Sequence, residues 1–257
     1  MIGVFDSGIG GLTLLHEIIQ QLPNEQFCYY ADTEHVPYST KSEEQIKSYV
    51  DKAINYFLEK NVKAIVLACN TATNVCIEDL RKKHTLPIIA IQPAVKVAFD
   101  KDILKRKILV CATPITLRSS RFQKLLDSIH ADSMVERLAL PELVKLAENE
   151  QFDTQEAKLY IADSLAQFDI NMFGSVVLGC THFTYFEPLF KELAPHLHIY
   201  DGNEGTARHL KNILGKLNLL TNESFSVEFV ESGKPTQNIQ RFERYFEFIN
   251  NMNSQSN

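Results

Sequence analysis

Short apolar, β-rich runs alternate with longer amphipathic stretches from the first residue almost to the last, and this alternation restricts the fold more than any other feature. Ile2 to Phe5, Gln26 to Ala31, Val62 to Ala68, Pro87 to Ile91, Lys107 to Ala112, Ser133 to Leu138, Gly174 to Gly179, His196 to Tyr200 and Ser226 to Val230 read as strands. Several are continuously apolar, the pattern of strands covered on both faces in a parallel sheet. Helical patterns lie between them. Over Ser42 to Glu59, for example, Ile46, Tyr49, Val50, Ala53, Ile54 and Phe57 fall on one face, with Lys and Glu opposite. The expected architecture is α/β with mostly parallel sheets.

At 257 residues the chain has length for one large or two small domains, and its core needs no disulfides to be stable. The five cysteines, Cys28, Cys69, Cys76, Cys111 and Cys180, are an odd and widely spaced set, which suits free thiols in a reducing compartment. No run approaches roughly 18 apolar residues, and the start lacks a basic segment followed by an apolar one, so neither a membrane span nor a leader is expected. We read the protein as cytoplasmic. Its 26 basic and 32 acidic residues give a net charge of −6, which repels phosphate backbones. The densest basic cluster, Lys101 to Lys107, has no interleaved aromatics and reads as a solvated helix end. Nucleic acid is not an expected partner.

Self-similarity is weak but falls at an informative place. Lys63-Ala-Ile-Val-Leu-Ala-Cys-Asn-Thr-Ala-Thr73 and Gly174-Ser-Val-Val-Leu-Gly-Cys-Thr-His-Phe-Thr184 share four identities in eleven. Each reads as a buried strand delivering a cysteine to the start of a helix. Two α/β halves, each contributing one thiol, would leave the cysteines facing one another across a cleft. No Pro/Gly/Ser linker marks the boundary, which we set near Pro93.

Three segments can carry chemistry. Val4-Phe-Asp-Ser-Gly-Ile-Gly-Gly-Leu12 is a strand, a glycine-rich turn and a helix start, where backbone N–H groups can approach an anion. With Asp32 after the second strand it resembles a dinucleotide site, except that Thr13 replaces the third glycine. Structural tightness is the competing reading, and it leaves unexplained Asp6, at the strand end where ligands of open α/β sheets bind. In Cys69-Asn-Thr-Ala-Thr73 a helix N-terminus would favour the thiolate by about 0.3–1 kcal/mol, up to about 2 when partly buried, which brings a thiol from about 8.5 towards neutral. The competing reading is a buried cysteine packed as a small hydrophobe. Gly179-Cys-Thr-His-Phe183 places His182 two residues from Cys180, within reach of its proton. Zinc would need a second close ligand pair, and the spacing of Cys69 and Cys76 is too wide.

Weaker candidates surround these. Pro37 and Tyr38, in the polar loop Asp32 to Ser39, either line a ligand or belong to an ordinary βα loop. Thr113 and Thr116 either donate to a carboxylate or cap a helix. Glu148, ending a helical stretch, reads by itself as a surface residue. Cys28, Cys76 and Cys111 read as core.

Two opposed thiols without a metal can form a redox pair or can act as acid and base on the two faces of one carbon. In the second case one thiolate removes a proton beside a carboxylate, the opposite thiol returns one, and the product is inverted. Because the carbon acid is so weak, oriented donors must stabilise the carbanion and water must be excluded. An anionic Asp6 near Cys69 disfavours its thiolate unless Asp6 binds the substrate ammonium or takes the thiol proton.

Phe5-Asp-Ser-Gly-Ile-Gly-Gly11, Pro37-Tyr38, Cys69-Asn-Thr-Ala72 and Gly179-Cys-Thr-His-Phe183 together resemble the successive signature motifs of the glutamate racemases, in order and across nearly the whole chain. The resemblance implies a cofactor-independent, metal-free enzyme that interconverts L- and D-glutamate and supplies D-glutamate for peptidoglycan. It implies two similar α/β domains related by a pseudo-twofold axis, with the active site between them: residues 1–93 plus 206–257, and residues 94–205. A homodimer is also implied, with neither nucleic acid nor membrane as partner.

By position, the resemblance makes Cys69 the base for D-glutamate and Cys180 the base for L-glutamate, with Asp6, His182 and Glu148 assisting. It puts Asp6, Ser7, Pro37, Tyr38, Ser39, Asn70, Thr71, Thr113, Thr116, Thr181 and His182 at substrate-binding positions. Ser39 stands where the family usually has Gly, Ala94 where Gly is common after proline, and Thr184 where proline is expected. The rival readings are a racemase of another amino acid such as aspartate, a nucleotide-binding or sensory relative without turnover, and a dithiol redox protein.

Overall fold

A computed structural model describes residues 1–102, 104 and 106–254, with only the backbone of residue 253. The first half alternates β1 (Ile2–Asp6), α1 (Leu12–Gln21), β2 (Gln26–Ala31), α2 (Glu43–Glu59), β3 (Ala64–Leu67), α3 (Asn70–Lys83), β4 (Ile88–Ala90) and α4 (Val95–Lys101). There follow β5 (Lys107–Ala112), α5 (Pro114–Arg118), α6 (Ser120–Ser128), β6 (Val135–Ala139), α7 (Glu142–Glu148), α8 (Gln155–Leu165), β7 (Phe173–Leu178), α9 (Glu187–Leu193) and β8 (His198–Asp201). The chain closes with α10 (Asn203–Lys216), β9 (Ser226–Glu231), β10 (Lys234–Pro235) and α11 (Ile239–Ser254).

Two sheets result, ordered β10-β9-β2-β1-β3-β4 and β6-β5-β7-β8, parallel throughout except for β10 on β9. Taken in chain order, each half lays down four strands in the same spatial order, second, first, third, fourth. The registers agree as well: Val4 pairs Val66 and Phe5 pairs Leu67, while Val110 pairs Val177 and Cys111 pairs Leu178. Even the hydrogen bond just past each third strand repeats, Ala68 N–H to the Phe5 carbonyl at 2.8 Å and Gly179 N–H to the Cys111 carbonyl at 2.7 Å. Late in the chain, β9 returns to pair with β2 of the first sheet.

The α2 pattern behaves as its spacing predicts. Ile46, Val50, Ala53, Ile54 and Phe57 are buried, Tyr49 is half-buried, and Ser42 with Gln45 closes a capping box. Several strands are shorter or shifted at their ends: Ser133 and Met134, for example, lie in a 3-10 turn ahead of β6, and β10 has no counterpart among the expected strands. In the basic cluster, Lys101 ends α4 and Lys107 opens β5, where it pairs with Glu136, so the segment is more than a helix end; Ile103 and Lys105 lie outside the described residues. No helix among the described residues is long and apolar enough to cross a membrane.

The glycine-rich turn is a wedge between the halves. A Cβ on Gly8 would strike the Glu148 carboxylate, and one on Gly10 the His182 ring. Tyr29 Oη donates to the Gly8 carbonyl at 2.8 Å and Tyr185 Oη to the Ile9 carbonyl at 3.0 Å. One apolar cluster therefore runs unbroken from Ile9, Leu14 and Ile18 to Phe183, Tyr185 and Phe186. Close approach of side chains from the other half is what requires these glycines.

Candidate active site

Both sulfurs face one narrow cavity between the halves, reached from equivalent strand ends. Its walls from the first half are Ser7, the Pro37–Ser39 segment, Cys69, Asn70 and Thr71. From the second half come Thr113, Val144, Cys180, Thr181 and His182. Three sequence candidates stand behind this lining. Asp6 is fully buried, accepting from Gly8 N–H at 3.0 Å and Thr181 Oγ1 at 3.1 Å. Thr116 accepts from Thr113 Oγ1 at 3.1 Å, and Thr113 caps α5. Glu148 contacts His182 from the rear.

Cys69 is the N-cap of α3: Ala72 N–H donates to Sγ, and Sγ–H donates to Ser7 Oγ, both at 3.4 Å. Helix position alone would pull this thiol towards neutral pH, but the structure reverses that expectation. Burial, followed by the Asp6 carboxylate, pushes it well above the usual thiol value, and the Ser7 and Ala72 contacts offset only part of this.

Cys180 differs. It opens a 3-10 turn over Thr181–Phe186 instead of an α-helix, and its Sγ lies 3.9 Å from His182 Nδ1. Burial disfavours a charged His182, but its hydrogen bonds to Cys180 and Glu148 outweigh burial and hold it well above the ordinary imidazole value. Glu148 Oε1 lies 2.8 Å from His182 Nε2 and accepts from Ile9 N–H at 2.9 Å, while Oε2 accepts from Arg241 at 2.9 Å. Burial raises the Glu148 carboxyl, yet these partners bring it below the usual range. The surface reading of Glu148 is therefore wrong: its side chain is 12% exposed, and the glycine-rich turn does hold an anion, this carboxylate. Asp6, bonded only to neutral donors among the described residues, is pushed up to about 6, chiefly by burial, with the nearby His182 offsetting part of this.

Two polar atoms at the cavity are buried without a partner, Asn70 Oδ1 and Ser39 Oγ. Buried polar atoms ordinarily find a hydrogen bond, so these are sites for a ligand's donors or acceptors. Asp32 is not free to hold a ribose. It accepts from Tyr38 Oη at 2.6 Å and Ser232 Oγ at 2.9 Å and lies 2.8 Å from His35 Nδ1, which fixes the Pro37–Ser39 segment against the cavity. Thr71 and Thr113 meet across the halves at 2.9 Å. Thr184, at the expected proline position, donates to the half-buried Asp201 at 3.4 Å, a bond proline lacks. Cys28, Cys76 and Cys111 are buried in the core, as expected.

Sequence reasoning missed Val144 and Arg241. Val144 sits in an apolar helical pattern and Arg241 on a charged helix face, and neither pattern distinguishes an active-site wall from an ordinary one.

A model of the Asp/Glu/Hydantoin racemase family matches residues 3–210. Glutamate racemase from Halothermothrix orenii is 42% identical over 251 residues, covering 96% of this chain and 98% of the relative. Glutamate racemase 2 from Bacillus subtilis is 43% identical over 253 residues, covering 96% of each. The crystal structure of a glutamate racemase isoform from Bacillus anthracis superposes with a TM-score of 0.84 at 32% identity, covering 96% of this chain and 92% of that one.

Proposed function

The chain belongs to the Asp/Glu/Hydantoin racemase family, and we propose that it interconverts L- and D-glutamate by proton transfer between two cysteines, without a cofactor. The observation that carries this reading is the delivery of Cys69 and Cys180 to one cavity from matching ends of β3 and β7. The names of its relatives support glutamate as the substrate.

With L-glutamate, the Cys180 thiolate takes the Cα proton while the Cys69 thiol gives its own to the opposite face. The enzyme is left with thiol at Cys180 and thiolate at Cys69, the state that accepts D-glutamate, and proton exchange with solvent restores the first form. His182, backed by Glu148, stands beside Cys180 within reach of its proton. Asp6 stands on the Cys69 side, able to take its proton or to face the substrate ammonium. Ser7, Pro37, Tyr38, Ser39, Asn70, Thr71, Thr113, Thr181 and His182 bind the substrate. Thr116 acts behind Thr113. Oriented donors on the substrate carboxylate stabilise the developing carbanion, where loss of a single donor costs about 10²–10³ in rate. As it stands the cavity has room for about one water molecule, so the walls part to admit glutamate and close around it.

The same reading assigns residues 1–93 and 206–257 to one domain and 94–205 to the other, makes the enzyme a cytoplasmic homodimer, and directs its D-glutamate to peptidoglycan synthesis. The test is L-glutamate in deuterium oxide with purified protein and no additive, following optical rotation and Cα deuteration together. Both should change. Glutamate that binds without either change sinks glutamate racemisation, and a panel of other amino acids then decides between a different substrate and a silent relative.

A further inference from the structure

We infer that Arg241, from the C-terminal helix α11, is a positioning residue of this reaction: its guanidinium pins one oxygen of Glu148 so that the other stays on His182, and His182 stays on Cys180. The inference rests on the racemase reading above.

Glu148 divides its carboxylate. Oε2 accepts from Arg241 Nη2 at 2.9 Å, while Oε1 serves His182 Nε2 at 2.8 Å and Ile9 N–H at 2.9 Å. The same Nη2 donates to the Glu148 main-chain carbonyl at 3.1 Å, so the guanidinium spans the residue from backbone to side chain. A carboxylate held this way does not rotate about its last bond. The Nε2 proton of His182 is then committed to Glu148, which leaves Nδ1 facing Cys180 Sγ at 3.9 Å. Arg241 itself is absent from the cavity wall and acts through two intermediaries.

The helix does not depend on this side chain for its seat. Tyr245 Oη donates to the Ala147 carbonyl at 2.8 Å, Arg244 Nε donates to Glu150 at 2.8 Å, and the Phe242 ring stacks on Phe229 with centroids 4.6 Å apart. Truncating the Arg241 head therefore tests the relay more than the fold.

Charge gives a signature that packing does not. The groups facing the Glu148–His182 pair are Asp6 at the end of β1, Cys180 after β7, and Arg241 with Tyr245 from α11. Farther out lie the phenols Tyr29 and Tyr185, with Glu231 of β9 against Arg241 at 3.7 Å. Removing a positive charge from this set raises the pKa of each neighbouring acid, so the pH–rate profile moves to higher pH.

The experiment measures racemisation of L-glutamate by the full chain, R241M and R241K across roughly pH 5 to 10. For R241M we expect kcat at neutral pH to fall about 10- to 100-fold with KM within about threefold. The acid limb of kcat/KM should rise by about one pH unit, so that part of the loss is recovered in alkali. R241K keeps the charge but not the fork, so its limb should stay in place while kcat falls about three- to tenfold. A merely structural role predicts a lower melting temperature with the limb unmoved. An R241M enzyme with the wild-type limb overturns the inference, as does R241K moving the limb as far as R241M. If R241M does not accumulate folded, R241K decides alone, and wild-type kcat in that variant overturns the relay. A wild type that exchanges no Cα proton sinks the racemase reading and this inference with it; a racemising wild type beside an unshifted R241M sinks this inference alone.

Discussion

Cys69 leaves β3 as the N-cap of a 14-residue α-helix and takes its contacts from neutral groups, Ser7 Oγ and Ala72 N–H, with the Asp6 carboxylate opposing its ionisation. Cys180 leaves β7 into a 3-10 turn and faces an imidazole backed by Glu148 and then Arg241. Strand order, register and even a main-chain hydrogen bond repeat between the halves, yet the electrostatics around the two sulfurs do not. A scaffold duplicated in backbone thus surrounds its two thiols with different groups, a carboxylate near Cys69 and an imidazole beside Cys180. That asymmetry is what a two-base inversion needs, because one sulfur must begin as base and the other as acid.

The largest effects should come from removing either sulfur. Cys69→Ser and Cys180→Ser are each expected to lower racemisation of glutamate about 10³-fold or more, since general acid and base contributions run to about 10²–10⁴ and neither thiol can stand in for the other. Rate assays on both enantiomers check this. A variant that keeps the wild-type rate would show that its half lends only walls to the cavity, and the comparison between halves would collapse.

Asp6 and Glu148, the two carboxylates flanking His182, should separate in stability. Asp6 is pushed from 3.8 up to about 6, so the stability it contributes is complete below its unfolded value and is lost as pH rises through about 6. Above that pH it is a liability of up to about 3 kcal/mol, at 1.36 kcal/mol per unit, and Asp6→Asn should raise the melting temperature there. Glu148 is lowered from 4.5. It contributes stability above its unfolded value, which is lost as pH falls towards its folded one, and Glu148→Gln should cost about 3 kcal/mol near neutrality by breaking a buried pair. Thermal melts of both variants near pH 5 and pH 8 read the opposite signs, and equal signs would refute the electrostatic contrast. A stabilising Asp6→Asn that also loses activity would mark Asp6 as a residue kept for function at the expense of stability.

What could be read in the sequence follows from which contacts are local. Continuously apolar runs such as Ala64–Leu67 and residues 176–178 point to buried parallel strands, and the shared Val-Leu-x-Cys pattern indicates that two thiols leave equivalent strands. The thiol of Cys69 could not be judged this way. Helix-end position is visible in sequence, but burial beside Asp6 is tertiary and larger. Glu148 misled for the same reason, since its partners His182 and Arg241 lie 34 and 93 residues away. The glycines of the first turn fit an anion-binding pattern, but their tightness is set by Glu148 and His182 of the other half.

The final residue of the eleven-residue match, Thr73 against Thr184, tests how far sequence identity carries structural equivalence. Thr73 Oγ1 donates to the Leu67 carbonyl at 3.4 Å, within its own half-repeat. Thr184 Oγ1 donates at the same distance to Asp201, a half-buried residue whose carboxyl is pushed up to about 6, chiefly by burial. Both bonds are long, so Thr73→Val and Thr184→Val should each cost no more than about 1 kcal/mol. Their pH dependence should differ. Losing the hydroxyl at Thr184 removes a donor that favours the ionised Asp201, so Thr184→Val should cost more at pH 8 than at pH 5, whereas Thr73→Val faces a carbonyl and should cost the same at both. Denaturant melts at the two pH values resolve this. A flat Thr184→Val would mean that the two threonines are equivalent in energy as well as in sequence, and the divergence between the halves would then be confined to the residues around the sulfurs.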